Sequence, residues 1–367
     1  MDFEPLLADL APGRTGALAR AISLVENGRP GFEELLAALH PRLGHARRIG
    51  ITGPPGAGKS TLVRHLVEAW RRHGLTVAVI AVDPTSPFSG GALLGDRIRM
   101  ETVALDPGVY IRSMATRGSL GGLATSTREV LDVLDAGGFD RLLIETVGVG
   151  QSELAVTGMA DSTVLVLVPE SGDGIQTLKS GVMEIADLFV VNKADRPGAG
   201  QLAREIEITL GLRRGNAFRG MRAHHGVALG RKDGQTEGRK DGQTEGRKDG
   251  QTEGRKDGKT ESDAGSWEPP VLLTVAAKGD GVGELIDALD RHHDWMTAAG
   301  ELALRRKRRF AVRTREVVDR ALQRWTWGET RAEALLAERL DQVAAGRMSP
   351  YELAGEIVAG LKEGARR

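Results

Sequence analysis

The sequence predicts an α/β fold with a doubly wound, mostly parallel sheet and helices on both of its faces. From Arg48 onward, short apolar runs such as RIGIT, TVAVIAV and STVLVLV recur along the chain. Amphipathic segments of helical periodicity, including STLVRHLVEAWRRHG and QLAREIEITLGL, separate these runs. Strands that alternate with helices indicate βαβ units, because two parallel strands need a crossover connection. We therefore expect residues 46–296 to form one sheet-based domain.

Both ends of the chain predict helices without strands. Residues 1–45 contain segments with apolar faces that end at Gly or Pro, which indicates an N-terminal helical extension. Residues 297–367 are helical in pattern and carry the basic run RRKRR. We interpret this run as a solvated helix face, because it lacks the interleaved aromatic residues of a nucleic-acid patch. The apolar positions left on these helices suit docking or self-association.

The bulk composition excludes several classes of protein. Lys and Arg number 50, and so do Asp and Glu, so net charge gives no reason to expect nucleic acid or an anionic membrane as partner. The absence of cysteine excludes disulfides, thiolate metal sites and cysteine nucleophiles. The apolar runs are too short to span a membrane, and the acidic start does not have the pattern of a signal peptide. We expect a cytoplasmic protein.

A tandem octad interrupts the sheet-based domain. The unit GRKDGQTE repeats from Gly230 and ends as GRKDGKTE at Glu261. The unit has no apolar residue and its charges nearly cancel, so it cannot bury a face. We therefore interpret residues 222–264, approximately, as a disordered and solvated insertion in a surface loop. Such an insertion is tolerated because the entropy cost of closing a loop grows only logarithmically with length.

A phosphate-binding motif follows the first apolar run. The stretch GPPGAGKST, Gly53 to Thr61, satisfies G-x-x-x-x-G-K-[ST] between a strand and an amphipathic helix. Glycines let backbone N–H groups turn inward on phosphates, and the helix directs its positive end at them. Lys59 can reach the terminal phosphates, and the Ser60 hydroxyl can ligate Mg²⁺. The expected phosphate-binding residues are Gly53, Gly56, Ala57, Gly58, Lys59, Ser60 and Thr61.

The nucleotide base is indicated by NKAD, Asn192 to Asp195, at the end of the apolar run LFVV. A carboxylate here can accept hydrogen bonds from guanine N1–H and from its exocyclic amine. Adenine offers no such pair and would leave a buried acceptor unsatisfied. Asn192 and the aliphatic stem of Lys193 would brace the loop and the base. The motif therefore favours GTP over ATP.

Three separated acids are candidates for the magnesium site. The polar loop VDPTSPFSGGALLGDRIRM carries Asp83 and Asp96 at its ends, and RLLIET ends with Glu145 at the position of a Walker B acid. Mg²⁺ requires oxygen ligands beyond Ser60 and the phosphates. A loop that places acids near the ion while the γ-phosphate is present is the switch logic of nucleotide hydrolases. A plain surface loop with ordinary acids is the alternative interpretation.

The hydrolytic step lacks its usual water-orienting side chain. Gly148 stands where an N–H senses the γ-phosphate, but the next residue is Val149, whereas Ras-like enzymes have Gln. Gln151 lies two residues further on. We therefore expect slow intrinsic hydrolysis that needs another group or a partner.

Taken together, these motifs resemble the MeaB/MMAA family of GTPases. The resemblance rests on GPPGAGKST, the Asp83–Met100 loop, SMATRGSLGGL, ETVGVGQSE, GDGIQTLKSGVMEIADLFVVNKAD and WEPPVLLTVAAKGDGVGEL. It runs from about residue 10 to the C-terminal helices and excludes the octads. The family implies a P-loop GTPase of the metallochaperone-like subclass, with a C-terminal helical arm that forms a homodimer.

The resemblance also implies a function and a set of site residues. GTP binding and hydrolysis would gate the loading of adenosylcobalamin onto methylmalonyl-CoA mutase and help to protect or reactivate that enzyme. No D-x-H-x-x-G stretch occurs, so cobalamin would be held by the partner and not by this chain. The implied catalytic residues are Lys59, Glu145, Asp173 and Lys179, the implied Mg²⁺ ligands are Ser60, Asp83, Asp96 and Glu145, and the implied guanine-binding residues are Asn192, Lys193, Asp195, Ala276, Ala277 and Lys278.

One departure and three alternatives accompany the resemblance. The loop usually written Ser-Ala reads Ala276-Ala277 here, so a side-chain hydroxyl is expected to be missing from the guanine site. The alternatives are a nickel-type metallochaperone, a transport-associated ATPase or kinase, and a chaperone of another cobalamin-dependent acyl-CoA mutase. The lack of cysteine argues against the first, and the paired histidines in AHHG and DRHHDW are expected to cap or to face solvent. Asp195 argues against the second.

Overall fold

A seven-stranded parallel sheet organises the part of the chain that the computed structural model describes, namely residues 3–12, 14–83, 100–115, 120–146, 152–169, 182–213 and 265–364. The strands are β1 Arg47–Thr52, β2 Val77–Asp83, β3 Val109–Ala115, β4 Arg141–Thr146, β5 Ser162–Leu167, β6 Leu188–Val191 and β7 Val271–Leu273. Their order is β3-β2-β4-β1-β5-β6-β7, and every pairing is parallel. The predicted doubly wound α/β class is confirmed.

The helices follow the strands as crossover connections or extend the chain at its ends. They are α1 Glu4–Ala8, α2 Thr15–Glu26, α3 Phe32–Leu39, α4 Lys59–Arg72, α5 Glu101–Ala104, α6 Leu120–Ala136, α7 Ser152–Thr157, α8 Ala199–Arg213, α9 Val282–Ala298, α10 Glu301–Arg324, α11 Ala332–Ala344 and α12 Pro350–Gly364. Short 3₁₀ turns lie at His40–Arg42 and Val182–Glu184, and a π-helical turn lies at Trp325–Glu329. None of the described helices combines the length and apolarity needed to cross a bilayer.

The sheet is buried on both faces, which explains its almost continuous apolar strands. In β2, Ala78 and Ile80 face a core shared with α2, α3 and α6, whereas Val77 and Val79 face a core shared with α4 and α9. This alternation follows from the two-residue period of a strand. The N-terminal helices therefore complete the main core, although the domain boundary expected at residue 45 stays a prediction.

The long helix α10 packs on the rest of the protein through charge and not through apolar burial, and none of its residues is buried. Its arginines reach carboxylates on the core, in the pairs Arg305–Asp187, Arg306–Asp161, Arg309–Asp161, Arg313–Asp132, Arg320–Glu129 and Arg324–Glu33. The interpretation of RRKRR as a solvated face is therefore wrong for three of its five positions. Lys307 and Arg308 are exposed, because the helical turn directs them away from the core.

Asp161 is the centre of this charged interface. It lies just before β5 and is 1% exposed. It accepts hydrogen bonds from the Arg309 Nη2 atom at 2.6 Å, the Arg306 Nη2 atom at 3.0 Å and the Arg48 backbone N–H at 3.1 Å. Burial by itself would raise the pKa of Asp161, but the two arginines of α10 outweigh it and lower that pKa to about 2. The carboxylate is thus held in its charged form by the C-terminal arm.

Candidate nucleotide-binding site

The loop of residues 53–58 lies between β1 and α4, at the carboxyl edge of the sheet. Gly53 has φ of 140°, and a Cβ placed on it would lie 2.0 Å from the carbonyl oxygen of Val166. Gly58 has φ of 88°, and a Cβ there would lie 2.3 Å from the Asn192 Nδ2 atom. Both positions therefore need glycine for two independent reasons, left-handed backbone and close approach. Gly56 shares the positive φ but has open space around it.

Two polar residues, Lys59 and Ser60, begin α4 at the end of this loop. The Lys59 ammonium group donates to the carbonyl oxygens of Gly53 at 2.8 Å and Pro54 at 2.9 Å. The Ser60 hydroxyl donates to the Glu145 Oε1 atom at 2.6 Å. Glu145 is 3% exposed and pairs in register with Ile51, because β4 lies beside β1. The structure thus brings together the predicted lysine, hydroxyl and acid from two neighbouring strand ends.

Asn192 joins the phosphate motif to the base motif. Its Nδ2 atom donates to the Ala57 carbonyl oxygen at 2.7 Å. Its Oδ1 atom accepts from the Thr274 hydroxyl at 3.1 Å and from the Ala276 backbone N–H at 2.9 Å. The side chain is only 2% exposed. One buried amide therefore links three loops that follow β1, β6 and β7.

The remaining residues of the predicted base site lie around this amide. Lys193 has φ of 57°, a left-handed conformation that is uncommon outside glycine. Asp195 is exposed, as are Ala277 and Lys278. The backbone N–H of Ala194 donates to the Thr274 carbonyl oxygen at 2.9 Å, so the NKAD loop and the loop of residues 274–280 are tied together. Sequence reasoning did not select Thr274, although it immediately follows the last strand run.

Part of the predicted site lies outside the described residues. This applies to Asp96, Gly148, Asp173 and Lys179, to Val149 and Gln151, and to the octad segment. Asp83 is the last residue of β2, and its side chain is not described. Within the described residues, no group of three or more His, Asp or Glu side chains is arranged to hold a metal ion. The full set of four magnesium ligands stays a prediction.

A Ser–His–Asp cluster forms at the opposite edge of the sheet. The Ser162 Oγ and His292 Nδ1 atoms are 2.8 Å apart, and His292 Nε2 lies 3.4 Å from Asp187 Oδ1. His292 is fully buried and packs against the rings of Trp267 and Trp295, so the expectation that the paired histidines cap or face solvent is wrong for it. Burial by itself would raise the pKa of Asp187, but His292 and Arg305 lower it. All three groups are buried, so the cluster joins α9 to the residues that begin β5 and precede β6.

The fold and the site together define a class of protein. A parallel sheet with GPPGAGKST before its first crossover helix, and NKAD at the same carboxyl edge, is the architecture of P-loop GTPases. The family model described as methylmalonyl Co-A mutase-associated GTPase MeaB matches residues 18–331. The chain belongs to the MeaB family.

Several known proteins are similar over most of their length. A Pyrococcus abyssi protein named as an inferred GTPase is 42% identical over 316 residues, which are 86% of this chain and 84% of that protein. The mouse protein named methylmalonic aciduria type A homolog, mitochondrial, is 32% identical over 378 residues, which are 98% of this chain and 79% of its own. The crystal structure of a protein named LAO/AO transport system kinase matches with a TM-score of 0.60 and 25% identity, and covers 98% of this chain and 97% of that one.

Proposed function

We propose that this chain binds and slowly hydrolyses GTP, and that the bound nucleotide gates adenosylcobalamin loading and protection of methylmalonyl-CoA mutase. The observation that carries the nucleotide part is the Asn192 amide, which links the phosphate loop at Ala57 to the base loop at Ala276. The mutase part is supported by the family, which is described as methylmalonyl Co-A mutase-associated, and by the mouse relative named for methylmalonic aciduria. We place this activity in the cytoplasm.

The phosphates and the base would be held by different kinds of group. Backbone N–H groups of residues 53–61 would bind the phosphates, and the Lys59 ammonium group would offset their charge. The Asp195 carboxylate, which is exposed at the carboxyl edge, would accept from guanine N1–H and from its amine. The stem of Lys193 and the residues 276–278 would border the base. An adenine in this position would leave the Asp195 carboxylate without donors.

The residues present fit a magnesium ion. The Ser60 hydroxyl gives its single proton to Glu145 Oε1, so its lone pairs remain for a hard cation. Both side chains are almost fully buried, where a carboxylate and a hydroxyl are the donors that Mg²⁺ prefers. We propose Ser60, Glu145, Asp83 and Asp96 as the residues that hold the ion. When bound, Mg²⁺ would neutralise charge on the β- and γ-phosphates.

Slow hydrolysis is the expected consequence of Val149. A valine cannot orient a water, so the rate would depend on a charge supplied from the loop that holds Asp173 and Lys179 or from the partner protein. Dependence on the partner would link GTP turnover to the loading event. Multiple-turnover assays of the purified protein, with and without mutase, measure this directly.

The C-terminal arm is proposed to form a homodimer. Leu304, Val318 and Leu322 of α10 are between 41% and 52% exposed, whereas several arginines of the same helix, including Arg305 and Arg320, pair with carboxylates on the core. Apolar side chains that a helix directs to solvent form a surface that a second copy can cover. Light scattering of the purified protein tests this, and a mass of one chain would contradict it.

The decisive experiment is a pull-down of adenosylcobalamin-dependent methylmalonyl-CoA mutase. The protein would be presented with no nucleotide, with GDP, or with a non-hydrolysable GTP analogue. We expect capture to differ between GDP and the analogue, and a Lys59→Ala control to lose that difference. Capture of a different acyl-CoA mutase would change the client and keep the mechanism. If no mutase is captured in any state, the chaperone proposal fails even if the protein binds GTP.

A further inference from the structure

The turn that joins the crossover helix α7 to β5 is bound by three arginines of α10. Arg309 donates from Nη1 to the Met159 carbonyl oxygen at 2.8 Å and from Nη2 to Asp161 Oδ1 at 2.6 Å. Arg305 donates to the Asp161 carbonyl oxygen at 2.9 Å, and Arg306 donates to Asp161 Oδ2 at 3.0 Å. We call this set of contacts between the three arginines and the turn the arm clamp.

The crossover that contains α7 connects the arm clamp to the edge of the sheet where the nucleotide site lies. It leaves the sheet after Thr146, the last residue of β4, and returns at Ser162, the first residue of β5. Because the two strands belong to a parallel sheet, the chain must cross from the carboxyl edge to the amino edge between these residues. One end of the crossover therefore follows Glu145, which accepts from Ser60, and the other end is the arm clamp.

The packing of α7 on β1 is too close for the helix to slide on the sheet. A Cβ placed on Gly50 would lie 2.8 Å from Val156 Cγ2 and 3.2 Å from Ala160 Cβ. The Asp161 N–H donates to the Arg48 carbonyl oxygen at 2.7 Å, and the Asp161 carboxylate accepts from the Arg48 N–H at 3.1 Å. Close-packed interfaces transmit strain because they are hardly compressible. The crossover therefore moves together with the strand that leads into the phosphate loop.

A second crossover helix, α6, reaches the same arm. It begins at Leu120, after β3 has ended at the carboxyl edge, and its second half carries Glu129 and Asp132, which are 2% and 3% exposed. Glu129 accepts from Arg320 Nη2 at 2.7 Å, and Asp132 pairs with Arg313. A buried carboxylate that lost its arginine would be left uncompensated. For this reason α10 has to follow a displacement of either crossover helix.

We propose that these contacts couple the state of the bound nucleotide to the position of α10. In the proposed site, the γ-phosphate adds its charge at the end of β4, next to Glu145, and GDP does not. The two nucleotides therefore favour different placements of α6 and α7, and the arginines carry the difference to the arm. By linkage, contacts at the arm also set the relative affinity for the two nucleotides. The inference rests on the proposed binding of GTP and adds the route by which the arm regulates that site.

The test breaks the arm clamp and measures the nucleotide preference. Arg309→Gln removes the charge that pairs with Asp161 and keeps a polar side chain. Dissociation constants for GDP and for a non-hydrolysable GTP analogue are measured by calorimetric titration. We expect the ratio of the two constants to change at least about fivefold, the lower end of typical coupling between sites.

Arg324→Gln is the matched control for this measurement. Arg324 lies on the same helix but pairs with Glu33 on α3 and with neither crossover, and both side chains of that pair are about half exposed. An exposed ion pair contributes little, so the control should leave the ratio within about twofold of wild type.

Hydrogen exchange of the wild-type protein tests the coupling without any substitution. Amides of a helix exchange when the helix leaves its packed position, so their rates report how firmly α10 is held. We expect exchange of the amides between residues 305 and 320 to differ at least about fivefold between saturating GDP and the analogue. If Arg309→Gln does not fold, this comparison decides by itself.

Three results would overturn the coupling. They are an unchanged ratio in folded Arg309→Gln, an equal change in Arg324→Gln, and identical exchange of α10 with the two nucleotides. If the wild-type protein binds no guanine nucleotide, the proposed function fails together with this inference. If the ratio and the exchange respond as expected but no mutase is captured, only the choice of client fails.

Discussion

Replacement of Asp161 by asparagine should loosen the C-terminal arm and destabilise the protein. Asp161 is the buried carboxylate on which Arg306 and Arg309 converge. Its ordinary pKa of 3.8 falls to about 2 in the folded protein, a difference that corresponds to about 2 kcal/mol. Removing one partner of a buried ion pair costs about 3–5 kcal/mol, and asparagine retains part of the hydrogen bonding. We expect a loss of about 2–4 kcal/mol at neutral pH.

The pH dependence of this loss follows from the direction of the pKa shift. Because the pKa of Asp161 is lower in the folded state, its contribution is present above pH 3.8 and is lost as pH falls towards 2. Roughly half of it remains near pH 3. The pKa of Asp187 is lowered in the same direction and adds to the same acidic window. The difference in stability between wild type and Asp161→Asn should therefore shrink as the solution is acidified.

Urea unfolding followed by circular dichroism at pH 7, 4 and 3 measures the stability difference, and limited proteolysis reports release of α10. Asp319→Asn is the matched control, because Asp319 lies on the same helix and is exposed. We expect its effect to stay within about 0.5 kcal/mol. The reasoning is refuted if Asp161→Asn is no more destabilising than this control, or if its effect grows on acidification.

The remaining predictions concern the nucleotide site. Gly53→Ala should cost at least about 3 kcal/mol in a thermal or urea transition, because the new Cβ would lie 2.0 Å from the Val166 carbonyl oxygen. Gly74 also has a positive φ, of 76°, but open surroundings, so a comparable loss in Gly74→Ala would contradict the steric argument. Asp195→Asn should weaken GTP binding at least about a hundredfold and admit xanthosine triphosphate, whose 2-oxo group can accept from the amide. Calorimetric titration decides this, and unchanged GTP affinity would refute the role of Asp195. Glu145→Gln should raise the Mg²⁺ concentration needed for half-maximal GTP turnover by about tenfold, and an unchanged Mg²⁺ dependence would exclude Glu145 from the ion's surroundings.

The site was predictable where its residues are neighbours in sequence. The phosphate loop is one contiguous segment, so its glycines, Lys59 and Ser60 could be selected from the motif alone. Thr274 was missed because it is 82 residues from Asn192, and its hydroxyl acquires a role only when β7 lies beside β6. The contact of Ser60 with Glu145 spans 85 residues and likewise needs β4 beside β1.

Two expectations were wrong, and each error has its own physical reason. His292 was expected to cap or to face solvent, yet it shares one face of α9 with Leu285, Leu289 and Met296, all buried. That helical spacing was a signal that the histidine points inward. The basic run was expected to be solvated because charge alone does not show what a helix packs against. Two carboxylates on distant elements, Asp161 and Asp187, made it an interface.

The sequence by itself determined the fold class, the phosphate loop and the family, because strand and helix periodicities and contiguous motifs are local properties of the chain. Only the tertiary structure decided that the arm is held by arginines and that the buried Asn192 amide joins the base and phosphate loops. Each of those contacts joins residues far apart in the chain, 148 apart for Arg309 and Asp161, and which distant groups meet depends on the strand order and not on local propensity.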